Sequence, residues 1–389
     1  MHAARPSVGK MLALAALFLM FCGLARTARA ADLVAASNKA HSWLKSQMTA
    51  TGLVDSYKDA KDVCYTYDQA VATVAFLAKG DVSNARRVLD ALQTLQNDDG
   101  SWNSAYACTT GGTEEAQRYV GATAWVALAI ANYESITGDT VTYNIMGQRA
   151  LNWVVLWQRS DGGINGGLDA NGVPIAWAST EHNEDSYGAL GHFAYANWQA
   201  GVKSFLDGAA WNTAGQRWNQ GRNDTVDSLD VNPLGVGALG ASGARNYRAS
   251  LDYCMTHHRS TQFRLQSGKW IVMDGFDLNS DRNDIWLEGT AQMAVAFRAV
   301  GRTADSDYFI NQIVRVQQRD GGVPYSLQGT FNGDFTMSTN PAVASTAWLV
   351  IAIAHANPMQ PEAAILGSIP KTRRDTAQAA PSTFSNSSQ

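Results

Sequence analysis

YVGATAWVALAIANY, Tyr119 to Tyr133, is the stretch that decides the fold. It is built of small and branched apolar residues with good helix formers among them, and it has no polar side. A helix that is apolar all round is a buried one. Upstream lies SNARRVLDALQTLQ, Ser83 to Gln96, whose apolar residues recur at helical spacing while Arg, Asn and Gln fill the opposite face. One helix belongs inside and the other at the surface.

The same contrast alternates along the chain. Amphipathic segments begin near Ser83, Tyr143, Gly201, Ala244 and Ser306, after a first helix in LVAASNKAHSWLKSQM (residues 33–48). Segments rich in Ala, Gly, Val and Leu begin near Tyr67, Tyr119, Asp185, Asn232, Trp286 and Pro341. About twelve helices follow from this reading, and the chain is read as helical almost throughout. Six hairpins closed in a ring satisfy the pattern, with the small-residue helices as inner wall and the amphipathic ones as outer wall. LQNDDGSW, LWQRSDGGINGG and VQQRDGGVPY each follow an outer segment, and each places a Gln shortly before an Asp-Gly turn. They mark a repeated helical-hairpin unit.

This all-α pattern resembles the six-hairpin (α/α)6-toroid superfamily of carbohydrate-active proteins, which includes glycoside hydrolases, sugar epimerases and polysaccharide lyases. The resemblance spans residues 31–358, and its most specific pieces are STEHNEDSYGAL (179–190) and WLEGTAQMA (286–294). It implies a toroidal catalytic domain and a poly- or oligosaccharide substrate. The Gln…Asp-Gly turn is also similar to a repeat of terpene cyclases, but no DxDD or DDxxD motif occurs.

The flanks read differently. Residues 1–30 combine Arg5 and Lys10, an apolar run of about fifteen residues and the small-x-small site ARA, as a secretory signal does. An exported protein is expected, with no membrane span in the mature chain. Residues 359–389 are rich in Ser, Thr and Ala and read as a disordered tail. A formal net charge of -4 without a basic stripe argues against a nucleic-acid partner. After removal of the signal, Cys64, Cys108 and Cys254 remain. Cys64 and Cys108 precede inner helices of adjacent hairpins, so a disulfide between them is expected, with Cys254 a buried free thiol.

In a ring of hairpins the residues that open the inner helices converge on one cavity. They are Tyr65, Tyr67 and Asp68; Gln117, Arg118 and Tyr119; Glu181, His182, Asn183 and Asp185; Asp227, Asp230 and Asn232; Asp281, Asp284, Trp286 and Glu288; Thr336, Ser338 and Asn340. Helix capping alone accounts for many of these acids, and Glu114, Glu115 and Glu184 read as solvated or supporting. Capping does not account for Glu181-His182-Asn183, nor for Glu288 between Leu287 and Gly289. A buried carboxyl without a partner has a raised pKa, as a general acid requires.

Hydrolysis of a glycoside uses two carboxyl groups across a sugar. Glu181 with Glu288 form the expected pair, with Asp68 as third carboxyl and His182 beside them. Tyr67, Tyr119, Trp177 and Trp286 are expected stacking faces, and Arg118, Asn183 and Asp185 further substrate contacts. A lyase acting on uronates would use His182, Tyr119, Asn183 and Arg118 instead. A non-catalytic carbohydrate-binding protein would need the aromatic platforms but no opposed carboxyls. No cofactor is implied. Asp98-Asp99 and the Asp277, Asn279, Asp281 run lack the pattern of a calcium loop and read as turns, so no metal site is expected.

Overall fold

A computed structural model describes residues 32–58, 62–240, 245–266, 268–332 and 335–361. The signal-like segment and nearly all of the tail lie outside the described residues. Among the described residues twelve helices run in order. They are α1 (residues 32–46), α2 (Thr66–Ala78), α3 (Val82–Leu95), α4 (Val120–Thr137), α5 (Asn144–Val155) and α6 (Thr180–His192). Then follow α7 (Ala196–Asp207), α8 (Val231–Leu239), α9 (Arg248–His257), α10 (Leu287–Ala299), α11 (Thr303–Val316) and α12 (Val343–Ile353).

The even-numbered helices form the inner wall. Each packs on the next even-numbered one, and α12 packs back on α2, which closes the ring. Their composition explains the placement: α12 is buried from Val343 to Ala352, and α4 from Val120 to Glu134 except Ala122. The outer helices bury one stripe only, as in α3, where Ala85, Val88, Leu89 and Leu92 face inward.

The Asp-Gly turns tie neighbouring outer helices together. The side-chain amide of Gln96 donates to Gly100 O at 2.9 Å in its own turn and to Met146 O of α5 at 3.0 Å. Gln158 does the same with Gly162 O and Trp198 O of α7, both at 2.9 Å. Gln317 bonds Gly321 O at 2.8 Å and Ala36 O of α1 at 3.0 Å, which joins the last hairpin to the first. The turn glycines adopt positive φ and press on the next helix. A Cβ on Gly162 would lie 2.0 Å from Gly201 O, so no other residue fits there.

Two features depart from the sequence reading. Helix α6 begins at Thr180, capped by the Ser179 side chain, five residues before the expected start near Asp185. Glu181 to Asp185 therefore lie within its first two turns rather than ahead of it. The segment between α9 and α10 is not helical: β9 (Arg259–Gln266) and β10 (Lys269–Phe276) pair antiparallel in a long hairpin. Eight short strands, β1 (Cys64–Tyr65) to β8 (Arg217–Trp218), trim the loops at the same end.

Cys64 and Cys108 are bonded, with Cα atoms 5.2 Å apart, and Cys254 is a buried free cysteine. The bond pairs the loop before α2 with the loop before α4. Mass spectrometry is expected to show both thiols blocked until reduction. A loop of this length gives roughly 2–4 kcal/mol of stabilisation, read as a lower denaturant midpoint after reduction.

Candidate active site

All outer-to-inner connections open at one end of the ring, and three adjoining cavities lie there. The largest, about 580 Å³, is lined by Tyr57, Tyr65, Tyr67, Asp68, Glu288 and Tyr325, with Phe335, Thr336 and Ser338 at its rim. A smaller central one, about 150 Å³, shares Tyr65 and Tyr67 with it and adds Tyr119, Glu181, His182 and Asp185. A third, about 340 Å³, shares His182 and is bounded by Trp177 and Arg222.

Glu288 lies in the first turn of α10 and is 3% exposed. Its Oε1 accepts from the Tyr67 hydroxyl and, at 3.3 Å, from the Gln292 amide one turn on. Tyr67 is fixed in turn by the indole N–H of Trp348, which donates to its hydroxyl at 2.9 Å. Burial pushes the Glu288 carboxyl up to about 8. The Tyr67 donation pulls the other way, and the charges of Asp68 and Asp230 push further up. Asp68, in the first turn of α2, is also buried and is raised to about 7 by burial, against a hydroxyl bond from Ser56.

Glu181 stands on α6 in the central cavity, which shares Tyr67 with the cavity of Glu288. Burial holds it well above the ordinary carboxylate range, followed by the charges of Asp230 and Glu288. No hydrogen bond offsets those causes. Asp230 is placed to exert this effect: it caps α8, accepting from Val231 N at 2.9 Å and from the Ser228 hydroxyl at 2.5 Å. Asp185, 1% exposed, is likewise raised by burial and by Glu181 and Asp230. Glu184 is completely buried, which excludes the solvated reading and leaves the supporting one. It points between α6 and α8, where a Cβ on Gly235 would come within 2.5 Å of it.

His182 borders both smaller cavities. Its ring presses on α4 at Gly121, where a Cβ would lie 2.3 Å from it, and burial pulls its pKa down to about 4. It is a neutral imidazole at ordinary pH. Tyr119 and Trp177 lean against it, with ring centres 6.1 and 5.5 Å away.

Three expected substrate contacts have other partners. Asn183 is buried, its Oδ1 accepting from Ile164 N at 2.7 Å while its amide donates to Ile164 O at 3.0 Å and Ser179 O at 2.7 Å. It clamps the Asp161–Gly167 turn to α6. Arg118 turns to Asp99, Nη1 to Oδ2 at 2.7 Å. Trp286 is only 5% exposed and packs over Gly289 and against Tyr325, so it presents no face to a ligand. Tyr57 and Tyr325 line the largest cavity and were not picked out from sequence. Both lie in loops, where no helical period marks them. Asp284 is not a helix cap. Its buried carboxylate accepts from the backbone N–H groups of Ile285, Leu327, Gln328, Gly329 and Thr330, at 2.7–3.0 Å. It shapes the loop that carries Phe335 to Ser338. Among the described residues, no group of three or more His, Cys, Asp or Glu is placed to hold a metal ion, and no helix is long and apolar enough to cross a membrane.

No protein-family model matches the chain, and no curated protein matches it in sequence. Solved structures do match. A glycosidase in complex with glucose aligns with a TM-score of 0.64 at 11% identity, over 84% of this chain and 97% of its own. That structure and a further glycosidase variant each carry a glutamate-to-alanine substitution, and another carries tyrosine-to-phenylalanine. A family 76 glycoside hydrolase from a bovine Bacteroides thetaiotaomicron strain aligns with a TM-score of 0.61 at 10% identity, over 83% of this chain and 77% of that one. A D-mannose isomerase aligns with a TM-score of 0.60 at 11% identity, over 83% and 96%. The chain thus has the six-hairpin toroid fold that glycosidases and a sugar isomerase share.

Proposed function

We propose that the protein is an exported glycoside hydrolase whose catalytic pair is Glu181 and Glu288. The observation that carries this reading is the asymmetry of two glutamates, Glu288 buried and Glu181 half-buried, in two cavities that share one tyrosine, Tyr67. Glu181 has only causes that keep it protonated. Glu288 is held by two donors, Tyr67 and Gln292, and is the one of the pair whose charge is supported. Paired carboxyls pushed apart in this way divide into acid and base. Glu181 gives its proton to the leaving glycosidic oxygen. Glu288, ionised, takes a proton from the attacking water or attacks the anomeric carbon itself. Asp68 adds through its charge to the proton affinity that burial gives Glu288. Three of the aligned glycosidase variants replace residues of these same types, two glutamates and a tyrosine, and a fourth replaces a phenylalanine. Export fits the signal-like start of the chain and the Cys64–Cys108 bond, which persists in oxidising compartments.

The lyase alternative loses three of its four supports: Asn183 is sequestered, Arg118 is committed to Asp99, and His182 is a weak base, while Tyr119 still lines the central cavity. The test is product analysis of the mature protein against neutral and uronate polysaccharides. New reducing ends without absorbance of unsaturated uronates are expected. Absorbance appearing together with reducing ends would replace hydrolysis by elimination.

The pH dependence follows from the same asymmetry. Activity needs Glu288 ionised and Glu181 protonated, so kcat/KM rises as pH passes through about 8 and falls when Glu181 ionises. Tyr67→Phe removes a donor to the Glu288 carboxylate and is expected to move the rising limb up by about one pH unit. Asp68→Asn removes a like charge and moves it down. A pH–rate profile unmoved in both variants refutes the assignment of Glu288.

A further inference from the structure

The third cavity is not needed to describe the catalytic pair, yet its construction is specific. Trp177 is 49% exposed and fixed on three sides. Its ring lies over the backbone of Gly166, where a Cβ would come within 2.6 Å of it, and Tyr119 and His182 brace it from the side. An indole already immobilised gives up little side-chain entropy on binding. The same cavity is also lined by Gln220, Arg222 and Asp224, on a segment paired to Ser179 through Gly221. Arg222 is held rigid by Asp161, Nε to Oδ2 at 2.6 Å and Nη2 to Oδ1 at 2.8 Å, and by Asn165 Oδ1 at 2.7 Å. An apolar plate in one cavity with polar side chains, Arg222 among them held in place, suits a ring with a C–H face and a hydroxyl edge.

Its position matters as much as its lining. The central cavity, with Glu181, touches it through His182, and the largest cavity, with Glu288, touches the central one through Tyr65 and Tyr67. The catalytic pair therefore sits in the middle of a run of cavities with room at both ends. An enzyme that trims chain ends needs one side of its carboxyl pair closed.

We propose that the cavity under Trp177 is a sugar-binding subsite on the Glu181 side of the catalytic pair, so that a glycan chain lies from the Phe335 rim to Trp177 and is cut internally. This rests on the hydrolase reading and adds the substrate class, a polymer or long oligosaccharide. The test compares wild type with Trp177→Ala on a length series of the glycan that wild type cleaves. The loss of kcat/KM on long chains is expected to exceed that on the shortest cleaved substrate by about tenfold, the size of one aromatic contact. Wild type is expected to lower the viscosity of the polymer before reducing ends accumulate. Equal losses at all lengths, no loss at any, or a monosaccharide as the sole early product would overturn the proposal. If wild type cleaves no glycan, the hydrolase reading fails and the subsite is tested apart. Titration with xylan, mannan and glucan oligosaccharides should then quench tryptophan fluorescence in wild type and not in Trp177→Ala, and absence of quenching in wild type refutes the subsite.

Discussion

Glu288→Gln is expected to lower kcat/KM on the cleaved glycan by about a thousandfold to ten-thousandfold. The substitution preserves shape, and the glutamine oxygen still accepts from Tyr67, but an amide neither takes a proton from water nor attacks the sugar. Stability should move the other way. The Glu288 pKa is raised from 4.5 to about 8 in the folded protein. Between those values the folded state binds more protons than the unfolded chain, so this group makes stability fall as pH rises through the window. Glu288→Gln removes that slope. Its melting temperature should match wild type near pH 4.5 and exceed it near pH 8. A variant that loses activity and also melts lower at every pH would mean that Glu288 supports the fold instead.

Asp284→Ala is expected to cost about 3–5 kcal/mol, seen as a reduced urea midpoint. The carboxylate is fully buried and gathers five backbone N–H groups together with the Thr330 hydroxyl. Alanine leaves those donors without acceptors and releases the loop carrying Phe335, Thr336 and Ser338 at the cavity rim. Activity should fall with stability. Asp284→Asn keeps one acceptor oxygen and should lose less than Asp284→Ala. Equal, small effects in both would show that the loop holds its shape without this hub.

The ring of hairpins is legible in the sequence because an inner helix has no polar face to hide, as Val120–Glu134 and Val343–Ala352 show. Glu288 stands out for the same reason, being a carboxyl set directly between Leu287 and Gly289 in a largely apolar helix. The hairpin β9–β10 is less visible. RSTQFRLQ and KWIVMDGF are short; the first alternates at Phe263 and Leu265, the second carries an unbroken apolar run from Trp270 to Met273, and only the Ser267-Gly268 turn signal between them marks a hairpin. The roles of Asn183, Arg118 and Trp286 depend on Ile164, Asp99 and Gly289. For Asn183 and Arg118 that partner lies in another loop, and no spacing announces it. The start of α6 at Thr180 was hidden because acids, imidazole and amide at 181–185 imitate a polar loop, whereas the helix buries most of them against its neighbours.

The division of labour between the two glutamates is tested most directly with Glu181→Gln on two substrates. One is the glycan that wild type cleaves. The other is an aryl glycoside of the same sugar whose leaving group departs without protonation. A loss in kcat/KM of about a hundredfold or more is expected on the glycan, with near-normal kcat/KM on the aryl glycoside, because the first bond cleavage then needs no proton donor. An equal loss on both substrates, or wild-type rates on the glycan, would contradict Glu181 as the general acid.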